Sequence, residues 1–276
     1  MKTVQSGLLA FYHSVSAAGF LKTAWGRSIF EMAYWFYKRY YEAGPIAPLQ
    51  QFVKPGSCVV DVGANIGYFT LHFASWVRGG GKVLAIEPEA INYARLQRAV
   101  SRAGLTSVVE TFRVAAAETV GDGLLEINPM HPGDHKLGTS GVPVAITTID
   151  TLLAGRGWPE VSLLKIDVQG AEARVLAGAR ETIDRFGPTL LIEVSDDGLR
   201  QYGSSAEELI LTLCKRQYTI QALQRRGIST SLSVDEAVTV AKTRGYVDLL
   251  FSRRPVAVSS HCQNDRYRGR ASYRSG

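Results

Sequence analysis

The sequence predicts an α/β fold, with an open, mostly parallel sheet and an antiparallel final strand. Three observations carry that prediction. Short apolar strands alternate with helix-period segments from Gly56 onward. The first strand, "SCVVDV" (57–62), runs straight into a glycine turn, "GANIG" (63–67). The last two strands, "YTIQAL" and "VDLLFS", have no long helix evident between them and suit an antiparallel closing pair.

In chain order, residues 1–50 are expected to form a helical extension. Phe30, Tyr34, Tyr37 and Tyr41 recur at helical spacing, so this segment packs on the main body or on a second subunit. Lys38 and Arg39 also permit peripheral contact with a membrane surface. Gly44-Pro45 and Pro48 then break the helix. The main domain is expected over 51–253. Its further strands are "KVLAIE" (82–87), "SVVETFRVAA" (107–116), "VSLLKIDV" (161–168) and "TLLIEV" (189–194). Ile66, Phe69, Phe73 and Val77 mark one helix face, and Ala171, Val175, Ala179 and Ile183 another. Residues 124–150 interrupt the alternation as a strand, a polar loop and a second strand.

Residues 254–276 form an Arg-rich tail, expected to be disordered. Six arginines from Arg253 onward face one acid, Asp265, and account for most of the net charge of +6. The body is therefore close to neutral, and no nucleic-acid partner is expected from its charge. Three widely spaced cysteines, Cys58, Cys214 and Cys262, show no metal-ligand pattern and read as reduced thiols, which fits a cytoplasmic setting. No apolar run is long enough to span a bilayer, and the N-terminus lacks a convincing signal-peptide layout.

The glycine turn sits where open parallel sheets bind ligands, beyond the carboxyl end of a strand. A phosphate loop needs Lys then Ser/Thr after its last glycine, but Tyr68 and Phe69 follow Gly67. A dinucleotide turn needs glycine where Asn65 and Tyr68 stand. S-adenosylmethionine has no pyrophosphate and is the best explanation of the three. Asp61 with Gly63, Ala64, Asn65 and Gly67 would serve its amino-acid end, and Glu87, closing the next strand, its ribose hydroxyls. Glu87 could instead be a helix-start acid, since Pro88 follows it.

With these motifs in order, the chain resembles the FkbM-type family of S-adenosylmethionine-dependent methyltransferases. The resemblance rests on "VVDVGANIGYFT", "VLAIEPEAINYARL", "ITTIDTLL", "LLKIDVQGAEARVLAGA" and "PTLLIEV", and covers about residues 50–195. It implies a Rossmann-like class I methyltransferase fold of seven strands and O-methylation of a hydroxyl on a sugar, glycan or polyketide-like metabolite. It also implies cofactor roles for Asn92, for Ala116 and Glu118 around the adenine, and for Asp167. Gln169 departs from the family's usual Glu and is expected to act as a polar hydrogen-bonding site.

Methyl transfer to an alcohol needs a group to take the hydroxyl proton. The candidates are His135 with Asp134 in the inserted loop, Asp167 at the end of a central strand, and Glu193 at the end of the next. Asp167 could equally cap the following helix, and the loop could be a plain surface turn on Pro132-Gly133. The loop's histidines and acids lack recognised ligand spacing, so no metal is expected. Two other functions stay open: a nucleic-acid methyltransferase anchored by the tail, and a binding module without catalysis.

Overall fold

The computed structural model describes residues 46–128, 134–224 and 227–253. The expected N-terminal extension lies outside the described residues up to Pro45, as do His131 and the whole basic tail. Pro48 occupies the first turn of a 3-10 helix, Ala47–Phe52, that leads into the sheet.

Eight strands form the main sheet among the described residues: β1 (Cys58–Val62), β2 (Lys82–Ile86), β3 (Val109–Phe112), β8 (Val161–Ile166), β9 (Thr189–Val194), β10 (Thr219–Gln224), β11 (Gly227–Ile228) and β12 (Val247–Ser252). Their spatial order is β11-β10-β12-β9-β8-β1-β2-β3. Strands β3, β2, β1, β8 and β9 are mutually parallel, whereas β12 is antiparallel to both β9 and β10. The expected mixed sheet is present, with a two-residue edge strand, β11, added to the seven.

Strands β1 and β8 are buried along their whole length, because helices cover both faces. On one face, α1 (Tyr68–Trp76) and α2 (Ala90–Arg102) pack with Val59, Val83, Leu163, Phe73 and Leu96. On the other, α3 (Ile149–Ala154), α4 (Glu172–Ala177), α5 (Arg180–Phe186), α6 (Asp196–Gln201), α7 (Ala206–Lys215) and α8 (Val234–Arg244) cover Val60, Val62, Leu164, Leu190 and Leu249. Among the described residues no helix is long and apolar enough to cross a membrane.

Four expectations needed correction. The strand read over 107–116 is two: β3 stays in the main sheet, and β4 (Ala115–Ala116) crosses into a second sheet. That second sheet, ordered β4-β7-β5-β6, contains β5 (Gly121–Glu126), β6 (Lys136–Gly138) and β7 (Val142–Thr147), so the insertion has one strand more than expected. A helix, α8, does separate β10 from β12. It carries a Ser233/Glu236 capping box, but its fully buried positions are only Ala237 and Ala241, which weakens its apolar signal. In addition, the helical period from Ala171 to Ile183 is divided at Gly178, where a Cβ would lie 2.1 Å from the Ala117 carbonyl oxygen.

Candidate active site

The carboxyl ends of β1, β2 and β8 meet at the glycine turn. The turn hangs from β2: Gly63 and Ala64 both donate their N–H to the Ile86 carbonyl, at 3.0 and 2.9 Å. It also lies directly on β8. Gly63 has φ +76, and a Cβ there would stand 1.8 Å from the Asp167 carbonyl oxygen. Asn65, at φ 50, turns the chain toward α1 in the left-handed region that Asn tolerates better than most residues.

Glu87 is buried and pinned. Its carboxylate accepts the N–H of Asn65 at 2.8 Å and of Glu89 at 2.9 Å. Each oxygen keeps a second lone pair, the acceptor pair that a ribose diol requires. Glu89 caps α2 by accepting from Ile91 and Asn92, which seats the buried Asn92 in the first helical turn. The buried acid, the close-approach glycine and the lack of a pyrophosphate cradle fit S-adenosylmethionine, with Asp61, Gly63, Ala64, Asn65, Gly67 and Glu87 as the residues that would hold it.

Asp61 and Lys165 are register partners on β1 and β8, and therefore meet on one face. Lys165 Nζ lies 3.2 Å from Asp61 Oδ1 and 3.4 Å from Asp167 Oδ2, and donates to the Gly63 carbonyl at 3.0 Å. The other Asp61 oxygen accepts from Thr70 on α1 at 2.6 Å. Asp61 Oδ1 is buried beside the Lys165 charge but has no hydrogen-bond partner among the described residues, which leaves an acceptor for the cofactor's amino-acid end. The sequence reading missed Lys165, although a lysine inside an otherwise apolar central strand was a visible signal.

Beyond β8, Gln169 stands at φ 58 and donates from Nε2 to Glu193 Oε1 at 3.1 Å, with Asp167 Oδ1 at 3.5 Å. The amide draws two strand-end carboxylates together, the polar hydrogen-bonding role expected of Gln169. The next helix starts with Glu172, which is buried. Its Oε1 accepts from Gly170 and Val168, and its Oε2 has no hydrogen-bond partner among the described residues.

Burial pushes both Glu87 and Glu172 up from 4.5 to about 7. Between those values the folded chain holds more protons than the unfolded one, so these groups make stability fall as pH rises through that window. Glu172→Gln should flatten that loss, read as a smaller drop in Tm between acidic and alkaline buffer.

His135 departs from its expected part. Its Nδ1 accepts the Asn128 backbone N–H at 3.2 Å, which leaves the neutral ring with its proton on Nε2. Burial also pulls its pKa down. The ring is therefore a hydrogen-bond donor, and the lone pair a general base would use is occupied. Asp134 braces the same loop through Asn128 Nδ2 at 2.9 Å and Lys136 at 3.6 Å. Glu89 and Asp134 both bear electrostatically on His135, which puts the loop on the Glu89 side of the turn. His135→Gln is expected to keep kcat within about tenfold of the parent, well short of the 10²–10⁴ that loss of a general base costs.

The adenine-side residues divide. Ala116 is buried in the core beside Ile149 and Leu153. Glu118 accepts from Arg174 with both oxygens, at 2.7 and 2.9 Å, and this bidentate ion pair fixes the carboxylate expected to meet the adenine amino group. Among the described residues there is no group of three or more His, Cys, Asp or Glu that could hold a metal.

Known proteins resemble this chain in sequence. Residues 61–220, more than half of the chain, match the family model described as the methyltransferase FkbM domain. The chain is 29% identical over 162 residues to 31-O-demethyl-FK506 methyltransferase FkbM of Streptomyces tacrolimicus, covering 47% of this chain and 62% of that protein's length. Among solved structures it is similar to a methyltransferase FkbM from Methylobacillus flagellatus KT, with 22% identity, a TM-score of 0.47 and coverage of 78% of this chain and 47% of that one. Another is an S-adenosylmethionine-dependent methyltransferase from Aquifex aeolicus, with 15% identity, a TM-score of 0.41 and coverage of 75% and 89%.

Proposed function

This chain belongs to the methyltransferase FkbM domain family, and from that premise we propose that it methylates a hydroxyl of a sugar, glycan or polyketide-like molecule. Its cofactor is S-adenosylmethionine, which supplies an electrophilic methyl group when bound. The observation that carries the hydroxyl reading is the Asp167 carboxylate. It lies between Lys165 and Gln169 while its own carbonyl underlies Gly63 of the donor turn.

An alcohol is a weak nucleophile until its proton has somewhere to go, and a held carboxylate beside the donor turn supplies that destination. Asp167 takes the proton in this reading. Gln169 keeps Asp167 and Glu193 at one place, so the acceptor meets two carboxylates and an amide. His135, protonated on Nε2, is left to donate a hydrogen bond to the acceptor rather than to remove its proton. The relative from Streptomyces tacrolimicus is named a 31-O-demethyl-FK506 methyltransferase, which supports an oxygen acceptor. A reducing, cytoplasmic setting is part of the proposal, supported by the unpaired Cys58 and Cys214.

The test is transfer of a labelled methyl group from S-adenosylmethionine to a panel of hydroxylated glycans and polyketides, with amines and RNA alongside. Label on a hydroxyl is the expected result. Label confined to amines or RNA would replace the reading.

A further inference from the structure

Lys165 sits within β8, all six of whose residues are buried, and its side chain is 4% exposed. Among the described residues it is the only buried lysine or arginine. Its ammonium faces Asp61 Oδ1 at 3.2 Å, Asp167 Oδ2 at 3.4 Å and the Gly63 carbonyl at 3.0 Å, with the Phe69 ring centre 5.1 Å away. Its charge also favours the ionised form of Glu87. A buried ion pair is a poor source of stability, because apolar residues of similar volume often do as well. This ammonium instead lies where the donor turn and the acceptor-side carboxylate meet.

The cofactor changes charge in the reaction: it arrives as a sulfonium cation and leaves as a neutral thioether. Two uncompensated carboxylates beside the turn would hold the cation too well. Stabilising the reactant more than the transition state slows transfer. We propose that Lys165 is a positioning residue which, by offsetting one of those carboxylates, sets how strongly the site prefers the sulfonium cofactor over its thioether product. The inference needs the cofactor but not the hydroxyl acceptor, so it stands or falls separately from the acceptor reading.

The test is calorimetric titration of the full chain with S-adenosylmethionine and with S-adenosylhomocysteine, compared as a ratio of Kd values. Lys165→Met, with both carboxylates left uncompensated, should move the ratio toward the sulfonium by about tenfold. Asp61→Asn, which leaves the ammonium with one carboxylate fewer, should move it the other way by a similar factor. The double variant removes one charge of each sign and should return to within about threefold of the parent. If Lys165→Met fails to fold, the opposed shift in Asp61→Asn and its reversal in the double variant decide the matter. A residue that is only structural weakens both ligands together, and an unchanged ratio across the variants overturns the proposal. A parent protein that binds neither ligand overturns it as well.

Discussion

Asp167→Asn is expected to lower kcat by about 10²–10⁴ while leaving the affinity for S-adenosylhomocysteine within a few-fold. The substitution keeps an oxygen that can face Lys165 Nζ, now 3.4 Å from Oδ2, and it leaves the backbone carbonyl under Gly63 in place. The capacity to accept a proton is lost, together with one negative charge beside Lys165, which bears on the sulfonium cofactor and not on its neutral thioether product. The separation of turnover from product binding is what identifies a base, since damage to the donor turn would weaken both. Near-parental kcat would remove Asp167 from proton transfer and leave Glu193, tied to it through Gln169, as the next carboxylate to substitute.

Gly63→Ala should have the largest structural effect. Its Cβ would fall 1.8 Å from the Asp167 carbonyl oxygen, a backbone atom that cannot swing aside, and φ +76 disfavours any side chain. The turn would have to leave β8, loosening the two bonds to Ile86 and the grip of Lys165 on the Gly63 carbonyl. A stability loss of about 2–4 kcal/mol follows from the combined clash and backbone strain, together with loss of cofactor binding. Gly80→Ala is the control. Gly80 also has positive φ, at +88, but nothing lies within 4 Å of its hypothetical Cβ. It should show only the backbone cost, of about 1 kcal/mol, and bind the cofactor normally. Thermal melts and product titrations of the two variants separate clash from strain; equal effects would mean that close approach is not what Gly63 provides.

Much of the site was legible because its parts are local. Asp61, Gly63, Asn65 and Glu87 are placed by strand ends and one turn, and strand ends are marked by apolar runs that stop at acids and glycines. The roles of His135 and Glu118 were not legible. His135 reads as a base from its type and neighbours, but a backbone N–H seven residues earlier occupies Nδ1. Glu118 reads as an adenine-side acid, and its bidentate partner Arg174, fifty-six residues away, is not visible in the spacing. Hydrogen-bond partners brought in by chain crossings leave no trace in spacing.

The sequence by itself determined the parallel core, the antiparallel last strand and the glycine turn, because burial on both faces of a sheet demands largely apolar strands and a tight turn demands glycine. Only the tertiary structure decided how the charges are shared. Asp61 and Lys165 are more than a hundred residues apart and meet because β1 and β8 run side by side in register. A charge buried between strands is defined by its neighbours across the sheet, and those neighbours exist only once the sheet has formed.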